Sequence, residues 1–135
     1  MKVLLDTNVL ASAFATRGLC ADVLRVVLSD HELLVPEVVL DELRRVLQKK
    51  FKVPRALVEE IEALLREQTV VERPRSPGMV RLRDASDEWV LASADSGRAD
   101  VIVSGDSDLL VLGVDGPMPV VSPRQFWKSL QRGRR

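Results

Sequence analysis

Short unbroken runs of apolar residues alternate along this chain with longer stretches in which apolar residues return every three to four positions. Runs such as Val3-Leu4-Leu5, Leu33-Leu34-Val35 and Val101-Ile102-Val103 lack the polar alternation of a half-exposed strand, so they predict strands buried on both faces. Between them, Val23, Leu24, Val27 and Leu28 predict a helix from Cys20 to Leu28. Val39, Leu43, Val46 and Leu47 predict one over 37–50, and Leu57, Val58, Ile61, Leu64 and Leu65 another over 54–68. Val9 to Ala15 reads as a small-residue helix or turn. Thr69 to Glu72 reads as an edge strand, Arg73 to Gly78 as loop, Met118 to Val121 as a last strand, and Pro123 to Leu130 as a closing helix. This alternation predicts an α/β fold with a mostly parallel central sheet of four to five strands and helices on both faces.

The polar residues that end these runs carry the chemistry. Asp6 follows the first strand directly, and in open parallel sheets ligands bind outside the carboxyl ends of the strands, near the point where strand order reverses. Asp106 follows the Val101–Val103 run through Ser104 and Gly105, a glycine expected to permit a tight turn. On the 37–50 helix, Glu42 falls one turn from Val39 and Val46, at the border of the apolar face, while Asp41 points away. Asp87 precedes Val90, Leu91 and Ala94 by three, four and seven residues, which turns it inward. Its neighbour Glu88 falls on the flank as an auxiliary or a substitute. Asp84 or Ser86 can cap that helix. Arg81 and Arg83, just before it, are candidates for facing substrate phosphates.

Composition narrows the picture. A length of 135 residues suits one domain over 1–135, with 131–135 as a frayed basic tail. Lys+Arg and Asp+Glu are equal at 20 each, so any nucleic acid must be held by a local patch or through metal ions. One Cys, Cys20, excludes an internal disulfide, and one His, His31, does not make a zinc site. Without a basic leader or an apolar run of ~18 residues, the chain is expected to be soluble and cytoplasmic. Trp89 and Trp127 read as packing or interface residues.

Four carboxylates converging on one sheet edge repel one another, and divalent cations resolve that conflict. An all-oxygen set without His or Cys favours Mg²⁺ or Mn²⁺ over zinc. In this light the chain resembles a family. Leu4-Leu5-Asp6-Thr7-Asn8, Asp41-Glu42-Leu43, Asp84-x-x-Asp87 leading into Leu91-x-x-Ala94, and Ser104-Gly105-Asp106-x-Asp108-Leu109-Leu110 are similar, in this order, to the motifs of PIN-domain ribonucleases. The similarity is strongest to the small VapC-type toxin components of toxin-antitoxin pairs.

The resemblance implies a three-layer α/β/α PIN-like fold and a metal-dependent endoribonuclease. Asp6, Glu42, Asp87 and Asp106 would be its catalytic and metal-binding acids, around one or two Mg²⁺ or Mn²⁺ ions. Asn8 and Ser104 would support them by hydrogen bonding, with Asp108 as a secondary acid, and Ser104 stands where Thr is more usual. Hydrolysis would leave 5′-phosphate and 3′-hydroxyl ends. Arg81, Arg83 or Arg98 would position the RNA. The implied partners are an RNA substrate, a small antitoxin protein and a second copy in a homodimer, with no membrane.

Two other readings keep the fold and change the role: a catalytically silent PIN fold used as an RNA-binding or protein-interaction module, and a housekeeping RNA-processing nuclease. Two other acid-bearing α/β classes fit poorly. A phosphoacceptor domain wants a Lys after a late strand, where only Lys128 in the terminal helix is on offer. A haloacid-dehalogenase-like phosphatase wants an acid where Asn8 stands.

Overall fold

The computed structural model describes residues 1–114 and 118–133. Strands β1 (Lys2–Leu5), β2 (Glu32–Pro36), β3 (Thr69–Val71), β4 (Val101–Val103) and β5 (Val120–Val121) form one sheet in the order β3-β2-β1-β4-β5. Every neighbouring pair is parallel. The expected mostly parallel sheet of four to five strands is thus fully parallel and five-stranded. Val3, Leu4 and Leu5 are all sealed from solvent, as are Ile102 and Val103, so both faces of the central strands are covered. Unbroken apolar runs encode this arrangement.

Among the described residues seven helices surround the sheet: α1 (Thr7–Ala15), α2 (Leu19–Asp30), α3 (Glu37–Lys49), α4 (Arg55–Arg66), α5 (Ala85–Ser96), α6 (Ser107–Leu110) and α7 (Pro123–Gly133). Helix α3 packs against α1, α4 and α5, while α7 lies along α2. Phe126 of α7 is buried and meets the His31 ring edge-on at 6.5 Å. Helix α7 runs on through Gln131 to Gly133, exposed residues of the expected basic tail, and Arg134 and Arg135 lie outside the described residues. The one-turn helix α6 was not anticipated, because four residues cannot display a 3.6-residue period. Among the described residues, no helix is long and apolar enough to cross a membrane.

Strand order decides where function can sit. From β1 the chain builds outward to β2 and β3, then returns to the other side of β1 to add β4 and β5. Strand order therefore reverses between β1 and β4. The two strands pair in register, Leu5 opposite Val103, so the residues that follow them, Asp6 and Ser104, leave the sheet side by side.

Candidate functional site

Asp6 is 5% exposed and caps α1, and both carboxylate oxygens are engaged. Oδ1 accepts the Thr7 backbone N–H at 2.8 Å and Oδ2 accepts the Ser104 hydroxyl at 2.8 Å. The Asp6 backbone N–H donates in turn to the Val103 carbonyl at 2.9 Å. Ser104 is fully buried, and its Oγ also accepts the Asp106 backbone N–H at 2.9 Å. That bond draws the chain round after β4. Gly105 is not in a left-handed conformation, and a Cβ there would meet nothing within 4 Å. The turn expected after β4 is present, and the serine hydroxyl closes it without drawing on glycine's conformational freedom. Asp106 then caps α6, Oδ1 accepting the Asp108 N–H at 2.8 Å.

Helix α5 brings the third acid to the same edge. Asp84 caps it, its Oδ1 accepting both the N–H and the hydroxyl of Ser86, and these bonds hold its pKa below the ordinary value. One turn on, Asp87 is 6% exposed, and its Oδ2 is buried with no hydrogen-bond donor among the described residues. Its neighbours are other acids: Asp87, Asp106 and Asp108 each offer a carboxylate oxygen within 4.8 Å of the others. Burial first, then the charges of Asp106 and Asp6, push the Asp87 pKa up to about 7. Burial also raises Asp6, although the Ser104 and Thr7 bonds oppose it.

Glu42 reaches the group from α3, half-buried as its border position predicts, whereas Asp41 is exposed. Burial raises its pKa, the charges of Asp6 and Asp84 add to this, and the nearby Thr7 hydroxyl lowers it. Thr7 and Asp84 therefore belong to the site's electrostatics beyond the four expected acids. Each had a signal in the sequence, Thr7 adjacent to Asp6 and Asp84 one helical turn before Asp87.

The remaining candidates separate. Asn8 is exposed in the first turn of α1, and its side chain makes no hydrogen bond among the described residues. Glu88 turns away from the acids and binds the preceding loop, accepting the Leu82 N–H at 2.9 Å. Arg81 donates to the Gly78 carbonyl at 3.2 Å and pairs with Glu88 at 3.5 Å, while Arg83 is exposed beside Asp84. Arg98 sits between α5 and β4, before the strand begins, and so lies at the sheet edge opposite the acids. It is held left-handed with φ 58°.

A buried carboxylate oxygen without a donor, among further carboxylates, is costly for an empty site and suited to a hard divalent cation. The donor set contains neither His nor Cys. The residues present fit such an ion.

Comparison with known proteins gives the same fold. A chain of the crystal structure of VapBC2 from Rickettsia felis bound to a DNA fragment from their promoter superposes with a TM-score of 0.58 at 13% identity, over 90% of this chain and 98% of that one. No curated protein matches the sequence. The PIN-domain family profile matches residues 2–108, a span that holds Asp6, Glu42, Asp87, Asp106 and Asp108. The chain belongs to the PIN-domain family.

Proposed function

We propose that this protein is a metal-dependent endoribonuclease acting as the toxin of a toxin-antitoxin pair. The observation that carries the reading is the carboxylate group at the β1/β4 switch point, with Asp87 Oδ2 buried among acids and lacking a donor. PIN domains are generally nucleases, which supports hydrolysis of a nucleic acid backbone. The VapBC2 likeness supports the toxin role and a small protein antitoxin, and the motif resemblance extends it to a homodimer.

Asp6, Glu42, Asp87 and Asp106 would hold one or two Mg²⁺ or Mn²⁺ ions, with Asp108 close enough to join them. Bound there, such an ion supplies Lewis-acid polarisation of the scissile phosphate and lowers the pKa of water. Asp6 is pre-oriented for the task, since Thr7 and Ser104 fix its two oxygens and spare it rotation during reaction. Asp106 is set in register with it through the same Ser104 hydroxyl. The half-buried Glu42 and buried Asp87 flank them and hold negative charge poorly on their own, which raises the gain from a cation. The expected products carry 5′-phosphate and 3′-hydroxyl ends.

The test is cleavage of a mixed pool of structured RNAs by the purified protein and by Asp6→Asn, each with Mn²⁺, with Mg²⁺ and with chelator. Metal-dependent cutting that disappears in the variant is expected. Cutting by Asp6→Asn at the wild-type rate, or cutting that survives chelation, would overturn the assignment.

A further inference from the structure

The segment 73–83 carries four arginines and no acid in a chain whose charges balance as a whole, and it leads straight into Asp84. Two consecutive residues of α5 hold it down. The Arg73 guanidinium lies 4.2 Å from the centre of the Trp89 ring, a stacked cation–π contact at one end of the segment. At the other end Glu88, 8% exposed, takes the Leu82 N–H on Oε2 at 2.9 Å and Arg81 Nη1 on Oε1 at 3.5 Å. Arg81 is tied further to the Gly78 carbonyl at 3.2 Å. Arg73 and Arg81 are thus fastened, whereas Arg75 and Arg83 are exposed and make no ion pair among the described residues. A buried carboxylate accepting a backbone N–H fixes the path of a loop, and here that path ends beside the acids.

We propose that Glu88 and Trp89 are positioning residues: they hold 73–83 as a cationic strap so that Arg83, with Arg75, contacts backbone phosphates of an RNA strand entering the acid group. This rests on the nuclease reading above and assigns Glu88 to substrate placement instead of metal ligation. Phosphate contacts of this kind place the strand without reading its bases.

The experiment measures three quantities for the wild type, Glu88→Gln, Glu88→Ala, Arg83→Ala and the Glu88→Ala/Arg83→Ala pair, each first confirmed folded by circular dichroism. They are the Kd of a fluorescein-labelled single-stranded RNA in chelator, kcat and KM for its cleavage in Mn²⁺, and Mn²⁺ affinity by electron paramagnetic resonance. Glu88→Ala is expected to raise Kd and KM together by roughly tenfold, the scale of one lost hydrogen bond to a charged group. Its kcat and Mn²⁺ affinity stay at wild-type values, and Glu88→Gln, which keeps an acceptor for Leu82, loses less. Arg83→Ala lowers the slope of log K against log salt by roughly 1. In the Glu88→Ala background it costs less than alone, because the arginine is already displaced. RNA binding that depends on Glu88 without any cleavage by the wild type would support the strap and refute the nuclease. Cleavage with RNA affinity unchanged in both Glu88 variants would refute the strap alone, as would loss of Mn²⁺ affinity in Glu88→Gln or a wild type that binds no RNA.

Discussion

The Ser104 hydroxyl donates to Asp6 Oδ2 at 2.8 Å and so joins the ends of two strands 98 positions apart in sequence. The same oxygen accepts the Asp106 N–H at 2.9 Å, so one buried side chain sets the spacing of two acids. Ser104→Ala leaves Asp6 buried with one bond fewer and removes an interaction that favours its charged form. Removal of such an orienting partner costs roughly 10- to 100-fold in metal affinity or activity. Ser104→Thr, which keeps the hydroxyl, is expected to recover most of the loss. Steady-state cleavage and Mn²⁺ titration of both variants check this, and equal activity in wild type and Ser104→Ala would remove the role.

Ionisation of these acids in chelator gives a second prediction. Asp87 is held at about 7 against an ordinary 3.8, so the folded protein keeps a proton that the unfolded chain releases across that window. Folding then binds protons, and stability falls as pH rises through it. Asp6 and Glu42 are also raised and act in the same direction. Glu37, Glu62 and Asp84 are lowered and act oppositely, but their effect is complete by about pH 5, above the ordinary carboxylate range, and His31, lowered by burial and the N-terminal ammonium, opposes only up to its ordinary 6.5. The Tm of the chelated protein should therefore decline between about pH 6.5 and 8. Asp87→Asn should remove most of the decline, and saturating Mn²⁺ should reverse it, since the cation competes with protons. A chelated Tm that climbs across the window contradicts the assignment of these acids.

Much of this arrangement was legible in the sequence because buried parallel strands and polar strand ends are local patterns. Val3-Leu4-Leu5-Asp6 states both a strand and its ligand edge, and helical phase alone separated Glu42 from Asp41. What escaped depends on distant partners. That Ser104, and not Gly105, closes the turn after β4 rests on a hydroxyl shared by two acids. That Glu88 is engaged by the loop at Leu82 while Asp87 faces Asp106 and Asp108 is a tertiary fact that no periodicity of α5 can reveal. Arg98 precedes the Val101–Val103 run, so its place at the amino edge of β4 was legible too, and only its charge had made it a candidate.

Gly97 supplies a stability prediction separate from the chemistry. Its φ is −84°, and the left-handed residue at this helix end is Arg98 instead. The glycine serves closeness: a Cβ at 97 would come within 2.9 Å of Val71 Cγ2 and 3.3 Å of Leu34 Cδ1, where α5 meets β2 and β3. Gly97→Ala is expected to destabilise by ~1–3 kcal/mol, the usual cost of overpacking a filled core. Urea denaturation measures it. Activity per folded molecule should be retained because neither Val71 nor Leu34 belongs to the acid group, and unchanged stability would contradict the packing.

Two adjacent acids on α3 test the site at the resolution of one helical step. Asp41 is exposed and lies 4.0 Å from Arg44 across a surface ion pair, whereas Glu42 is half-buried toward Asp6, Asp84 and Thr7. A surface pair of that kind contributes at most ~1 kcal/mol, so Asp41→Asn should leave cleavage unchanged and Tm nearly so. Glu42→Gln keeps the shape and removes a charge that burial and two acids already disfavour. In chelator it should raise Tm slightly, while in Mn²⁺ it should lower Tm relative to wild type and lose cleavage by ~10²-fold or more, on the order expected when electrostatic stabilisation of the transition state is lost. Opposite signs in the two conditions are the signature of a metal-binding acid, because a purely structural residue would shift stability the same way in both. Paired melting curves and cleavage rates for the two variants decide it, and loss of activity in Asp41→Asn with Glu42→Gln unaffected would place the wrong face of α3 toward the site.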